Sequence, residues 1–237
     1  IYANLLSTVD VTVQKTAGDA KMLTAGSLFG TPYNIWMMND AAQGDVSVTV
    51  ANGNTATVAV GGLAGRAKSS SSSRARPILN CYASGTVTVT AEDKSGVGAL
   101  VGDLELEVAH SEQMPNFYLT QNGLPGIGAS DYDITDNCFY PVENGKVQAS
   151  WSAGGVSFNN PDLLTALNQG VKQIEQVVQT VAPADAESVP ALSTWVRGTD
   201  GPVLSEPEQT DAEDDQYYAI TLEVEGAEYG SASVAST

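Results

Sequence analysis

Positive charge is what this chain has least of. Ten Lys and Arg residues stand against 28 Asp and Glu, a formal net charge of −18. Nucleic-acid binding needs basic clusters that displace counterions from phosphates, so that partner class is excluded, and an anionic membrane surface is disfavoured for the same reason. The acidity predicts a solvated, self-repelling surface, with calcium or a cationic partner as the alternative. Charged residues of both signs make up only 16%, against roughly 25% in ordinary soluble domains. Gly, Ser, Thr, Ala and Asn take their place, a composition that suits turn-rich all-β surfaces. Apolar residues, at 42% of 237 positions, are enough for a substantial core in one long domain or two small ones.

Reactive side chains are equally scarce. The one histidine, His110, cannot supply the paired ligands of a zinc protease. A Ser-His-Asp hydrolase would need a nucleophile elbow, and no such sequence is present. No glycine loop carries the Lys-Ser or Lys-Thr of a phosphate site. Cys81 and Cys138 are too few for a disulfide scaffold and lack metal-site spacing. No run of about 20 apolar residues exists to span a membrane. The chain starts at Ile1 without a signal peptide, and reads as a fragment or mature segment whose targeting sequence has been removed.

What is present is a repeat. Gly26-Ser27-Leu28-Phe29-Gly30 returns as Gly61-Gly62-Leu63-Ala64-Gly65 and as Gly98-Ala99-Leu100-Val101-Gly102, with the leucines 35 and then 37 residues apart. A second element keeps step: Val9 to Val13, Gly44 to Val48 and Gly85 to Val89 alternate valine with Thr, Ser or Asp, the period-two pattern of a strand with one buried face. Five residues before each run sits an asparagine, Asn4, Asn39 and Asn80, with Asn116 and Asn137 as later continuations. One such unit cannot bury its apolar face alone, whereas stacked units bury a continuous core. The pattern therefore predicts a parallel β-helix-like solenoid of about 35-residue repeats, with asparagines stacked at a bend. A β-propeller competes, but blades usually need about 40 residues and at least four copies.

These residues resemble the GLUG motif family, named for its Gly-Leu-any-Gly core and commonly carrying an Asn-Cys-Tyr step, here Asn80-Cys81-Tyr82. Members are bacterial extracellular and cell-surface proteins, among them adhesin-like ones and non-catalytic regions of secreted immunoglobulin proteases. The resemblance covers roughly residues 1–145 and departs from the pattern at Asn4-Leu5-Leu6 and at Gly126-Ile127-Gly128. It implies a solenoid on the cell exterior and carries no catalytic residues.

From Asn160 the character changes. Asn160-Pro161-Asp162 is a helix start, followed by an apolar stripe at Leu163, Leu167, Val171, Ile174, Val178 and Val181. This helix is expected as a lid over the last coil, hiding its open edge, with a dimer contact as the alternative. Ala191 to Leu204 reads as a hairpin around Gly198-Thr199-Asp200-Gly201-Pro202. The segment 146–204 is thus a cap, and 205–237 an acidic linker plus a final strand at Tyr218 to Val224, packing back on the solenoid or opening another module.

Candidate sites are few. Asp131, Asp133 and Asp136 read first as a solvated loop; they could also bind calcium, although the Gly and terminal Glu of a calcium loop are missing. With Glu105 and Glu107 they could also serve a polysaccharide-cleaving β-helix enzyme. The Arg66–Pro77 stretch, with serines 69–73, is expected as a solvated loop; Cys81 and Cys138 as buried thiols at equivalent places in different coils; Tyr33, Trp36 and Tyr118 as core residues or sugar-stacking rings. The resulting expectation is a non-enzymatic extracellular or bacterial cell-surface module, without cofactor, presenting loops to a glycan or protein ligand and joined to other domains of the same chain. A structural stalk and a carbohydrate-active enzyme are the alternatives.

Overall fold

The computed structural model describes residues 1–16, 22–68, 78–105, 115–121, 123–130, 139–153, 156–181, 187–205 and 230–235. The class is all-β, with short strands, several separate parallel sheets and, among the described residues, a single α-helix.

Strands follow one another in successive passes of the chain. The first holds β1 (Tyr2–Ala3), β2 (Leu6–Ser7), β3 (Asp10–Lys15) and β4 (Leu23–Ala25). The second holds β5 (Met37–Met38), β6 (Ala41–Ala42), β7 (Val46–Val50), β8 (Val58–Val60) and β9 (Ala64–Lys68). The third repeats that set as β10 (Ile78–Leu79), β11 (Tyr82–Ala83), β12 (Val87–Thr90), β13 (Gly96–Val97) and β14 (Val101–Glu105). A fourth keeps β15 (Asn116–Leu119) and β16 (Ile127–Ser130), and β17 (Phe139–Glu143) begins a fifth, which turns back as β18 (Lys146–Val147).

Each strand pairs in parallel with its counterpart one pass away. Five sheets result, ordered β1-β5-β10, β2-β6-β11-β15-β17-β18, β23-β3-β7-β12, β4-β8-β13 and β9-β14-β16, where β23 (Gly230–Ala235) is the last described strand. Val11 pairs with Val46 and Val46 with Val87, so the alternating valines form columns. Val46, Val48, Val87 and Val89 face inward and their Thr and Ser neighbours outward. Buried valines of this kind each contribute roughly 1.5–3 kcal/mol.

The glycine-leucine motifs stack in the same phase. The Leu28 amide donates to Leu63 O, the Leu63 amide to Leu100 O and the Leu100 amide to Gly126 O. Gly126-Ile127-Gly128 therefore continues the column, with glycine in the leucine's place. Leu63 and Leu100 are fully buried and Leu28, in the first pass, partly so. The flanking glycine is needed because backbones approach closely: a Cβ on Gly65 would lie 2.6 Å from Ala25 N and 2.6 Å from Gly30 O.

The carboxyl-terminal segment lies across the passes rather than over the last one. After the hairpin of β19 (Ser150–Ala153) and β20 (Val156–Asn159), α1 spans Leu163–Val181. Its cap is Asp162, two residues beyond the Asn160 expected from sequence: Oδ1 accepts the Thr165 amide at 3.0 Å and Oδ2 the Thr165 hydroxyl at 2.6 Å. At its start the Leu163 amide donates to Gly145 O, beside the fifth pass. Further along, Leu167 O accepts from Asn80, and Ile174, Val177 and Val178 pack on Trp36, Met38 and Leu79. The outward column Ala41, Tyr82, Phe117 and Tyr140, one residue per pass, is buried beneath Leu163, Ala166, Leu167 and Trp195. A lid over one end cannot make contacts spread over so many passes. The helix has this position because the sheet's outer face is itself apolar.

Two other devices cover strand edges. At the last pass, β18 folds back antiparallel on β17. At the first, β23 pairs antiparallel with β3 along its length, Gly230 opposite Lys15 and Ala235 opposite Asp10. The strand expected at Tyr218 to Val224 lies outside the described residues.

Candidate functional site

The asparagines set the frame of the site. Asn4, Asn39 and Asn80 all sit at positive φ, between 55° and 60°, a conformation asparagine tolerates better than most side chains. Asn39 Nδ2 donates to Asn4 Oδ1 at 2.9 Å and Asn80 Nδ2 to Asn39 Oδ1 at 2.8 Å, one bond per pass. The ladder faces the carboxyl-terminal segment rather than the space between the sheets. Asn4 Nδ2 donates to Ala191 O and Asn39 Nδ2 to Ser193 O, while the Ser193 amide donates to Asn4 Oδ1. Trp195 Nε1 donates to Asn39 Oδ1 at 2.6 Å. Gly170 passes so close that a Cβ there would meet the Asn80 amide group.

Asn116 does not continue this ladder. Phe117 pairs with Tyr82, so Asn116 falls opposite Cys81, one position later. There it accepts the Cys81 amide on Oδ1 at 2.9 Å and donates to Ile78 O at 2.8 Å. The same register gives Phe139 the place opposite Asn116, hence Cys81's place in that pass. Asn137 and Cys138 lie outside the described residues. Cys81 is a free, buried thiol, and burial, then the nearby Asp40, push its pKa well up.

The strap thus held leads into a hairpin of β21 (Trp195–Arg197) and β22 (Pro202–Leu204). Asn168 fixes it further, donating to Trp195 O and accepting the Trp195 amide. Gln43 Nε2 ties the far side to Pro202 O at 2.7 Å. The turn is tight, with the Gly198 amide on Gly201 O at 2.9 Å and Gly201 at φ 140°.

Between this turn, the start of α1 and the outer face of the β6-β11-β15-β17 sheet lies a cleft of about 450 Å³. Leu119, Val142, Leu163 and Leu164 supply its apolar part; Ser84, Asp162, Arg197, Thr199 and Asp200 supply polar groups. The Thr165 bonds, and secondarily Arg197, hold the Asp162 carboxyl below its ordinary value. It is a charged helix cap at neutral pH and a poor proton donor. Burial raises the Tyr82 phenol, so it lines the cleft un-ionised.

The described residues among those singled out as candidate sites from sequence do not line this cleft. Asp131, Asp133, Asp136, Glu107 and His110 lie outside the described residues, as do serines 69–73. Among the described residues no group of three or more His, Cys, Asp or Glu is arranged to hold a metal ion. Glu105 is engaged: Arg66 pairs with it and with Asp103, and Lys68 pairs with it at 3.1 Å. Trp36 is buried and Tyr118, half-buried, packs against the core, whereas Tyr33 is 49% exposed. Of the cleft residues, sequence marked only the turn and the helix start, and nothing in Arg197 to Asp200 tells which surface the turn will face.

No described helix is long and apolar enough to cross a membrane. Comparison with protein-family models, with curated proteins and with solved structures finds no match to this chain.

Proposed function

We propose that the chain is a non-enzymatic module of a bacterial cell-surface protein, a parallel β-solenoid of the GLUG-repeat kind that presents ligand-binding surface on a rigid stack. The observation that carries this reading is the in-phase stacking of two separate motif columns, Leu28-Leu63-Leu100 and Asn4-Asn39-Asn80, with the strands of successive passes paired in parallel. Such stacking makes an elongated body whose faces differ in chemistry. Adhesion fits the cleft under the hairpin, built on anchored elements as binding sites usually are.

A structural stalk is the second reading, favoured by the ion-paired β9-β14 face. The enzyme reading stands third: Glu105, one of its candidate carboxylates, is engaged by Arg66 and Lys68. Labelling of intact source cells with antibody against the chain tests the surface placement: signal only after permeabilisation sinks it. A glycan and matrix-protein array separates adhesion from a stalk, and turnover of anionic polysaccharides by the purified chain would restore the enzyme.

A further inference from the structure

The geometry points to the cleft under the β21–β22 hairpin as a binding site for a neutral saccharide, an inference that deepens the surface-module reading and rests on it. The cleft is preformed. Gln43 on Pro202 and Asn39 and Asn168 on Trp195 fix the hairpin from both ends, so a ligand has little backbone ordering to overcome. Its volume of about 450 Å³ lies in the lower part of the range for small-molecule sites, roughly 300–1,000 Å³, which suits the end of a short glycan better than a protein surface.

The polar groups decide the ligand class. Among the described residues Arg197 has no carboxylate within ion-pairing distance, and no hydrogen bond engages the Asp200 side chain. Both stand at the cleft with Thr199 between them in sequence. An anionic ligand would satisfy Arg197 but face Asp162, Asp200 and the chain's net charge of −18. A purely cationic ligand would face Arg197. Vicinal hydroxyls serve both, donating to a carboxylate from one carbon and accepting from a guanidinium at the next. The aliphatic patch of Leu119, Leu163 and Leu164 suits the C–H face of a sugar ring, and Leu119 is left 36% exposed there.

The test is a titration of the full chain, by calorimetry and by NMR, with maltose, cellobiose, lactose and N,N′-diacetylchitobiose, alongside a sulfated disaccharide and the dipeptide Ala-Ala. The expected result is saturable binding of at least one neutral sugar, weakened about tenfold or more by Arg197→Ala and by Asp200→Ala, with Lys94→Ala unchanged as a surface control. Both cleft substitutions lie at exposed positions of the hairpin, and unchanged circular dichroism and melting temperature will show that the fold is retained. Binding of the dipeptide or the sulfated sugar in place of the neutral ones overturns the ligand class while keeping the cleft. Sugar binding indifferent to both substitutions overturns the cleft, and silence from every probe overturns the site. None of these outcomes touches the surface placement, which the antibody labelling decides separately.

Discussion

Asp40 replaced by asparagine is expected to stabilise this protein. The Asp40 carboxyl is fully buried; Oδ1 accepts the Leu5 amide one pass away at 2.9 Å, and Oδ2 is left without a partner. Asn116 occupies the corresponding place two passes on, since Ala41 pairs with Tyr82 and Tyr82 with Phe117. It uses both ends of its amide, Oδ1 on the Cys81 amide and Nδ2 on Ile78 O. The counterpart of Ile78 in the first pass is Tyr2, because both pair with Met37. A carboxylate cannot donate to the Tyr2 carbonyl; a protonated acid can, and so can asparagine. Burial accordingly lifts the Asp40 pKa well above its ordinary 3.8, outweighing the backbone bonds that lower it.

The sign of the pH dependence follows. Unfolded Asp40 ionises near 3.8, while the folded group keeps its proton above that pH. The native state binds more protons, so this residue's contribution is intact below pH ~4 and is lost as pH rises toward the folded pKa, at about 1.36 kcal/mol per unit. Asp40→Asn removes that loss and supplies the missing donor, itself worth ~1–3 kcal/mol for a buried unsatisfied group. Urea denaturation of both proteins from pH 5 to 8 is the assay. The variant should be more stable throughout, by a margin that widens as pH rises. A variant less stable than the parent, or a constant margin over that range, would refute the reasoning and mean that Asp40 is ionised and paired in the native protein.

Gly65→Ala should cost about 3 kcal/mol or more in denaturant titration, because its Cβ meets rigid backbone at 2.6 Å, whereas Gly30→Ala, with nothing closer than 3.9 Å, should be neutral or slightly stabilising. Equal losses would mean that the stacked backbones are not in close contact. Asn39→Ala leaves Trp195 Nε1 and Ser193 O without their partner and removes one of the two acceptors of Asn80 Nδ2, with an expected loss of roughly 2–3 kcal/mol and a red shift of tryptophan emission as the strap loosens. An unchanged spectrum would speak against the strap's anchoring. In a Cys138→Ser background, Cys81 should resist thiol reagents in the native protein and react at once in denaturant.

Much of the fold was legible because its signals are local and repeated. The alternating valines, the Gly-Leu pentapeptides and Asn4, Asn39 and Asn80 lie in columns one pass apart. What sequence misjudged depends on how faces meet. Asn116 looks like another member of the asparagine series, yet pairing shifts it opposite Cys81, and only the register of β11 on β15 reveals this. The stripe on α1 shows that the helix has an apolar face without showing where it docks. That was decided by Ala41, Tyr82, Phe117 and Tyr140, which in sequence are single residues in four different passes. The cleft was least visible of all, since Gln43, Leu119 and Arg197 share nothing until the sheets and the hairpin bring them together.

The placement of α1 and its strap has a mechanical consequence. A stack held only by neighbour contacts can fray one unit at a time, each losing just its own interface. Here a continuous piece of chain is bonded to Asn4, Asn39 and Asn80 in turn and packed from Gly145 to Trp36. No one of those passes can peel away without breaking the brace that holds the others, so they should yield together, under heat or under load, as a single cooperative unit.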